Sequence, residues 1–150
     1  MRTQLYGLIN IPMAILLGIA TLIPVLNRPA MADDTLAALA RIHLLENARR
    51  AERSKWRKLV NHANPMVRVE ALRGIGRVQS IKLVSLVESQ LANQNTMVRA
   101  EAAFAYGQLK GVSAQPLRAA LKSEKEQVVR ERLVQAIGRR ANAGDITLLM

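Results

Sequence analysis

Few residues in this sequence have the type and spacing that chemistry at a site requires. The two histidines, His43 and His62, are well separated along the chain, and no carboxylate pattern surrounds them. There is no cysteine, which excludes a disulfide framework and thiol chemistry and removes the usual zinc ligands. The pattern contains no nucleophile–base pair, no paired carboxylates and no glycine-rich phosphate loop. We therefore expect a protein that is not an enzyme and that uses neither a cofactor nor a metal.

Three arginines recur at a fixed interval. Arg99 follows Arg68 by 31 residues, Arg130 follows Arg99 by 31 residues, and each arginine comes directly after a valine. We call this interval the repeat period. The arginines have two interpretations. They could form a row of anion-binding groups, or each guanidinium could tie its helix to the neighbouring loop by hydrogen bonds to carbonyl oxygens. We favour the second interpretation, because the planar arginine fork suits bonds of that kind.

The formal net charge of +11 favours anionic partners: nucleic acid, acidic protein surfaces or lipid head groups. Basic residues are densest around the single tryptophan. This segment could bind nucleic acid by phosphate contacts and stacking, or bind an anionic membrane surface. We favour the interpretation in which the tryptophan is packed in the fold and the cations around it are solvated. The residues concerned are Arg49, Arg50, Arg53, Lys55, Trp56, Arg57 and Lys58.

The three arginines belong to a repeated helical segment. Apolar and small residues from Val67 to Val78 fall at steps of 4, 3, 1 and 3, which places them on one face of a helix. The pattern returns twice after one repeat period each time, as is typical of stacked repeats with periods of roughly 20–50 residues. The segments 80–92 and 114–122 have apolar faces as well. Each unit is therefore predicted to be an antiparallel pair of helices of about 10–13 residues.

The predicted fold is all-α: a right-handed α-solenoid of antiparallel helix pairs, with about three repeats and an N-terminal capping helix. The capping helix starts at Asp33 and has an apolar stripe of Leu36, Leu39, Ala40 and Leu44. Residues 144–150 resemble the opening of another first helix.

Several positions of the repeat leave alternatives open. Asn64 and Asn95 are good N-caps, whereas Glu126, the equivalent residue, is a weaker one. The glycines near the helix ends could terminate the helices or allow a neighbouring helix to approach; they are Gly76, Gly107 and Gly138. Arg140 stands where Val78 and Leu109 predict an apolar residue.

Residues 1–32 differ from the rest of the chain. Arg2, an apolar run that ends at Leu26, and Ala30-Met31-Ala32 describe a secretory signal peptide that is cleaved after Ala32. The mature domain would then be residues 33–150, in the periplasm or secreted. The alternative is an uncleaved segment that anchors the protein in the inner membrane, although Pro12 and Pro24 interrupt it.

The Val-Arg-x-x-Ala-x-x-x-Ile/Tyr-Gly pattern over residues 59–141 resembles the short HEAT-like repeat of the phycobilisome-lyase type. That family usually has an acidic residue six positions before the arginine, and here the residues are His62, Asn93 and Glu124. The chain is also similar to the start of exported bacterial HEAT-repeat proteins. The resemblance implies the fold, and an envelope location, more than a function. By analogy with this family, an alternative function is a lyase or chaperone-like accessory role.

We expect the function to be protein binding. In curved stacks the second helices line the usual binding surface, and a basic groove there suits an acidic protein partner. Association with a membrane surface is an alternative, and nucleic acid is disfavoured if the protein is exported. The candidate residues for partner binding are Arg68, Arg73, Arg77, Arg99, Gln108, Arg130, Gln135 and Arg139.

Overall fold

The structure is a computed structural model that describes residues 30–140, with side chains from residue 33 onward. Within that range it is all-helical and contains no strand. The predicted signal peptide, apart from its last three residues, and the predicted helix opening at 144–150 lie outside the described residues. Residues 30–140 form seven α-helices: α1 (Ala30–Asn47), α2 (Arg53–Val60), α3 (Pro65–Val78), α4 (Val84–Glu88), α5 (Thr96–Gln108), α6 (Gln115–Ser123) and α7 (Gln127–Gly138).

The helices pair as the repeat predicts. Helix α2 packs on α3, α4 on α5, and α6 on α7, while the second helices α3, α5 and α7 lie side by side. Val67, Val98 and Val129 are all buried, one in each second helix. The expected α-solenoid of helix pairs is therefore confirmed.

The second helices start in strict register. Their first residues, Pro65, Thr96 and Gln127, are each separated by one repeat period. Asn64 caps α3 by accepting from the Met66 amide at 2.9 Å, and the Asn95 side chain caps α5 in the same way. Glu126 makes no side-chain cap, as its type predicts.

Gly76 and Gly107 lie close to the neighbouring second helix. A Cβ atom on Gly107 would lie 2.9 Å from the Cβ of Ala136, and one on Gly76 would lie 3.4 Å from the Cα of Ala105. Helix α3 continues to Val78, beyond its glycine, so Gly76 does not terminate it. Packing thus explains Gly107, whereas the 3.4 Å distance at Gly76 is an ordinary van der Waals contact that a methyl group could make.

The first helices are shorter than predicted. They contain 8, 5 and 9 residues in α2, α4 and α6. The segment predicted as one helix over 80–92 begins with a turn of 3-10 helix, Ile81–Leu83, and its end forms turns. Apolar periodicity continues through such turns, which is why it overestimates helix length.

The prediction for the N-terminal helix was wrong in two respects. Helix α1 begins at Ala30, so the proposed cleavage site lies in its first turn, before Asp33. Its predicted stripe packs against the core only at Leu39, because Ala40 is exposed and Leu36 and Leu44 are 57% and 71% exposed. The buried residues of α1 are Ala38, Ile42 and Leu45.

The physical reason is the register of the stack. Ala38 and Leu45 stand one repeat period before Val69 and Gly76, which are buried residues of α3, and Gly76 lies beside Ala105 of the following second helix. The positions with which α1 packs on α3 are therefore equivalent to the positions with which α3 packs on α5. Glu46, next to Leu45, pairs with Arg77 of α3 at 2.7 Å.

Arg140 replaces the apolar residue that closes the earlier second helices. Its Nη1 donates to the Val112 carbonyl oxygen at 2.9 Å, and its guanidinium lies 5.9 Å from the centroid of the Tyr106 ring. Burial lowers the pKa of Arg140 from its ordinary value. The long side chain thus fits a partly buried position by bonding to a carbonyl group and covering an aromatic ring.

Candidate partner-binding surface

The three repeated arginines tie the second helices to the loops before them. Each Nη1 donates to the carbonyl oxygen six residues earlier, at 2.9 Å in Arg68, 2.9 Å in Arg99 and 3.1 Å in Arg130. The acceptors, on His62, Asn93 and Glu124, are themselves spaced by the repeat period. These bonds agree with the second interpretation of the three arginines, in which each guanidinium ties its helix to the neighbouring loop.

One of these arginines also joins two repeats. Arg99 donates from Nε to Glu124 Oε2 at 2.7 Å and from Nη2 to Oε1 at 3.1 Å. Hydrogen bonding to Arg99 is the main cause that lowers the pKa of the Glu124 carboxyl, and the backbone N–H of Glu126 assists. The residue equivalent to Glu124 in the preceding repeat is Asn93, and there the buried Nε of Arg68 has no partner among the described residues.

A different set of side chains forms the exposed surface of the second helices. On each helix, four positions at steps of 4, 3 and 4 share one face, and the positions recur with the repeat period. We call this set the second-helix face. It consists of Met66, Glu70, Arg73 and Arg77 on α3, Met97, Glu101, Phe104 and Gln108 on α5, and Val128, Arg132, Gln135 and Arg139 on α7.

The two cations that α3 contributes to the second-helix face are paired with carboxylates of the fold. Arg73 lies 2.6 Å from Glu70 and 3.2 Å from Glu101, and Arg77 lies 2.7 Å from Glu46 of α1. The hydrogen bond to Glu46 is the main cause that raises the pKa of Arg77. These pairs neutralise much of the positive charge at this end of the second-helix face.

The cations of α7 have a different environment. The guanidinium carbons of Arg132 and Arg139 lie 5.4 and 4.9 Å from the centroid of the Phe104 ring. Arg132 also donates to Gln135 over 3.5 Å. Between residues 33 and 140, no carboxylate lies within salt-bridge distance of either arginine. Their positive charge is therefore uncompensated by the described part of the chain.

An exposed apolar row runs along the N-terminal edge of the second-helix face. Met66, Met97 and Val128 occupy equivalent positions and are 52%, 56% and 52% exposed. Large apolar side chains are thus exposed at the same point of three successive repeats. A groove of about 500 Å³ lies on the same face, between α3 and α5, and its lining includes Arg73, Arg77, Glu101, Phe104 and Gln108.

The basic segment around Trp56 has a buried aromatic ring and an exposed rim of cations. Trp56 is fully buried against Gly74 and donates from Nε1 to the Arg50 carbonyl oxygen at 2.8 Å. Its ring is therefore not available to stack on a base. The surrounding cations are exposed, and Lys55 pairs with Glu52 at 2.5 Å.

Two further findings concern the described residues only. They contain no group of three histidine, aspartate or glutamate residues placed to hold a metal ion. None of their helices combines the length and the apolar character needed to span a membrane.

The comparison with protein families agrees with this architecture. The family model described as HEAT repeats matches residues 54–138, which is more than half of the chain. The chain belongs to the HEAT-repeat family. Proteins of this family commonly act as scaffolds for protein interactions and are generally not enzymes. No curated protein matches the sequence.

Sequence reasoning included Gln108, Gln135 and Arg139 of this face but missed Phe104 and Arg132. The repeat register would have found both, because Phe104 stands one repeat period after Arg73 and Arg132 stands one after Glu101. The apolar row was missed for a different reason. Met66 and Met97 lie beside the helix caps and outside the buried stripe, and hydrophobicity alone gave no cause to treat them as exposed.

Proposed function

We propose that this chain is a non-enzymatic scaffold of the cell envelope that binds an acidic protein or peptide on the second-helix face. The observation that carries the proposal is the exposed row of Met66, Met97 and Val128. Apolar side chains at one point of adjacent repeats give a partner a continuous line of contacts, since neighbouring second helices lie about 8–10 Å apart. The charge of +11 and the arginines of α7 support an acidic partner.

Location in the envelope rests on the sequence of residues 1–32, which resembles a signal peptide or, alternatively, an anchor. Association with an anionic membrane surface is the second candidate function. It is favoured by the exposed cations of the basic segment, among them Arg57 and Lys58.

Photocrosslinking tests the position of the surface. Met97 is replaced by p-benzoylphenylalanine in one variant, and Ile81 is replaced in a matched control. Ile81 is 62% exposed but lies in the layer of first helices. In cells of the source organism, we expect the Met97 variant to give a discrete protein adduct that the Ile81 variant does not give.

The captured protein is then purified and mixed with the wild-type chain. Replacement of Met66 and Met97 by serine should weaken this binding about ten-fold or more, because truncating central apolar contacts typically costs about 1 kcal/mol or more each. Equal labelling from Ile81, or binding that ignores both methionines, would contradict the proposal.

A further inference from the structure

We infer that Phe104, Arg132 and Arg139 form a carboxylate-binding subsite, which accepts an aspartate or glutamate side chain of the partner at the α7 end of the second-helix face. The inference rests on the proposed function and adds to it the chemistry and position of one contact.

The first step of the argument is the difference between equivalent cations. Arg77 and Arg139 occupy the same repeat position, yet Arg77 has Glu46 at 2.7 Å whereas no described carboxylate pairs with Arg139. Arg132 stands where the two preceding repeats have Glu70 and Glu101. Among the described residues, a carboxylate from a partner meets no internal competitor at α7, but it would have to displace one at α3.

The second step is the position of the two guanidinium groups. Both lie over Phe104, with the carbon of Arg139 at 4.9 Å from the ring centroid and that of Arg132 at 5.4 Å. Contact with an aromatic face uses the plane of a guanidinium and leaves its N–H edge free for a carboxylate. Phe104 thus restrains two flexible cations before a partner binds, which lowers the entropy that binding costs.

The third step is the position of the apolar row. Val128 and Arg132 are one helical turn apart on α7, so they face the same side. A peptide in the polyproline II conformation has three residues per turn and rises about 3.1 Å per residue, so every third side chain faces the same side and meets the next second helix. A partner segment with an apolar residue at every third position, and carboxylates between them, matches both features of the face.

The test uses three fluorescein-labelled dodecapeptides. One repeats the triplet Glu-Glu-Leu four times, and the others replace the glutamates with glutamine or with lysine. We expect the full chain to bind the acidic peptide most tightly and the lysine peptide least. Binding of the acidic peptide should weaken as salt is added, because the charged groups are near the surface.

The deciding variant is Arg132→Gln with Arg139→Gln. It should weaken binding of the acidic peptide about two- to thirty-fold, as expected for two exposed charge pairs, and leave the glutamine peptide unchanged. The matched control is Lys82→Gln with Lys122→Gln, which removes the same charge from exposed positions in the first-helix layer. This control should change binding less than about two-fold, since these charges are remote. Arg132→Lys with Arg139→Lys should restore part of the affinity.

The outcomes separate the two proposals. If Met66→Ser with Met97→Ser weakens both the acidic and the glutamine peptide, but the α7 arginines have no effect, the subsite is wrong and the surface stands. If no peptide binding depends on the methionines, the proposed surface itself is wrong. Vesicles that contain anionic phospholipid serve as the last arm. Binding to them that depends on Arg132 and Arg139, with no peptide binding, would assign these arginines to a membrane surface and overturn the subsite.

Discussion

Arg99 of α5 holds the carboxylate of Glu124 with two hydrogen bonds, of 2.7 Å from Nε and 3.1 Å from Nη2, and so joins one repeat to the next. The two side chains are only 16% and 8% exposed, so solvent screens the pair weakly. The same carboxylate accepts from the backbone amides of Lys125 and Glu126 at 3.0 Å. A single side chain therefore joins α5 to the start of α7.

Glu124→Gln should lower the free energy of unfolding by about 1.5–3 kcal/mol at neutral pH, the usual contribution of hydrogen bonds to a charged group. Urea unfolding, followed by the fluorescence of Trp56, measures the change. Glu126→Gln is the matched control, because Glu126 is exposed and makes no side-chain cap. It should change stability by less than about 0.5 kcal/mol.

The effect of Glu124→Gln should also depend on pH. The pKa of Glu124 is lower in the folded chain than its ordinary value of 4.5, so the unfolded chain takes up a proton first as the pH falls. The contribution of the pair is complete above the unfolded pKa and is lost as the pH falls through the folded pKa. A difference between wild type and Glu124→Gln that stays constant from neutral pH to about pH 3 would contradict this.

Asn93→Glu should stabilise the protein by about 0.5–1.5 kcal/mol, because it supplies the carboxylate that the buried Nε of Arg68 lacks. The substitution also removes the bond that Asn93 Nδ2 donates to Oε1 of the buried Gln90 at 2.8 Å, so the Gln90 amide must turn over for its Nε2 to donate to the new carboxylate. The bond from the Asn95 amide, which Asn93 now accepts at 2.9 Å, would be kept, as the equivalent bond is kept by Glu124. Asn93→Gln has the same length without the charge and should give no such gain. Equal melting temperatures for the two variants would show that a second inter-repeat pair does not form.

Gly107→Ala should destabilise the stack by about 1–3 kcal/mol, because the new methyl group would overlap the backbone region of α7. Its Cβ would lie 2.9 Å from the Cβ of Ala136 and 3.1 Å from the Cα. Gly138→Ala is the control at the equivalent position, where an added Cβ would meet no atom of the other described elements within 4 Å. It should stabilise the protein by about 0.4–1 kcal/mol through reduced freedom of the unfolded chain. Denaturant midpoints that move in the same direction for both variants would refute the packing argument.

The fluorescence of Trp56 should not respond to nucleic acid. Its ring is fully buried and its Nε1 is bonded to the Arg50 carbonyl oxygen, so single-stranded DNA should leave the fluorescence intensity and emission maximum unchanged. The control is acrylamide, which should quench the emission strongly only after unfolding in urea. Quenching by DNA under native conditions would show that the basic segment opens to expose the ring for stacking.

The repeat register predicted most of the fold from the sequence. Val67, Val98 and Val129 fell on the buried row because a fixed period and a helical stripe reinforce each other. The caps at Asn64 and Asn95 followed from residue type. Helix α1 was misread because Leu36 and Leu44 make an apolar stripe in sequence, whereas contact with α3 selects Ala38 and Leu45.

The candidate site was less predictable, because it depends on contacts between repeats. Periodicity placed Arg73 and Arg77 on the same surface as Arg139, but it contained no sign that Glu70, Glu101 and Glu46 pair with the first two. The role of Phe104 was equally hidden, because two arginines from another helix meet its ring. The packing of the repeats thus determines which of these arginines pair with a carboxylate of the described residues.

The position of Arg140 has a consequence for engineering longer arrays. Because this arginine bonds back to Val112 and covers Tyr106, a building block copied from the third unit would duplicate a charged side chain at each new junction. Residues 79–109 end in the buried Leu109 and carry Asn95 as their own cap, which makes them the more suitable module for duplication. Inserting Asn93→Glu into every copy would give each junction an arginine–carboxylate link of its own.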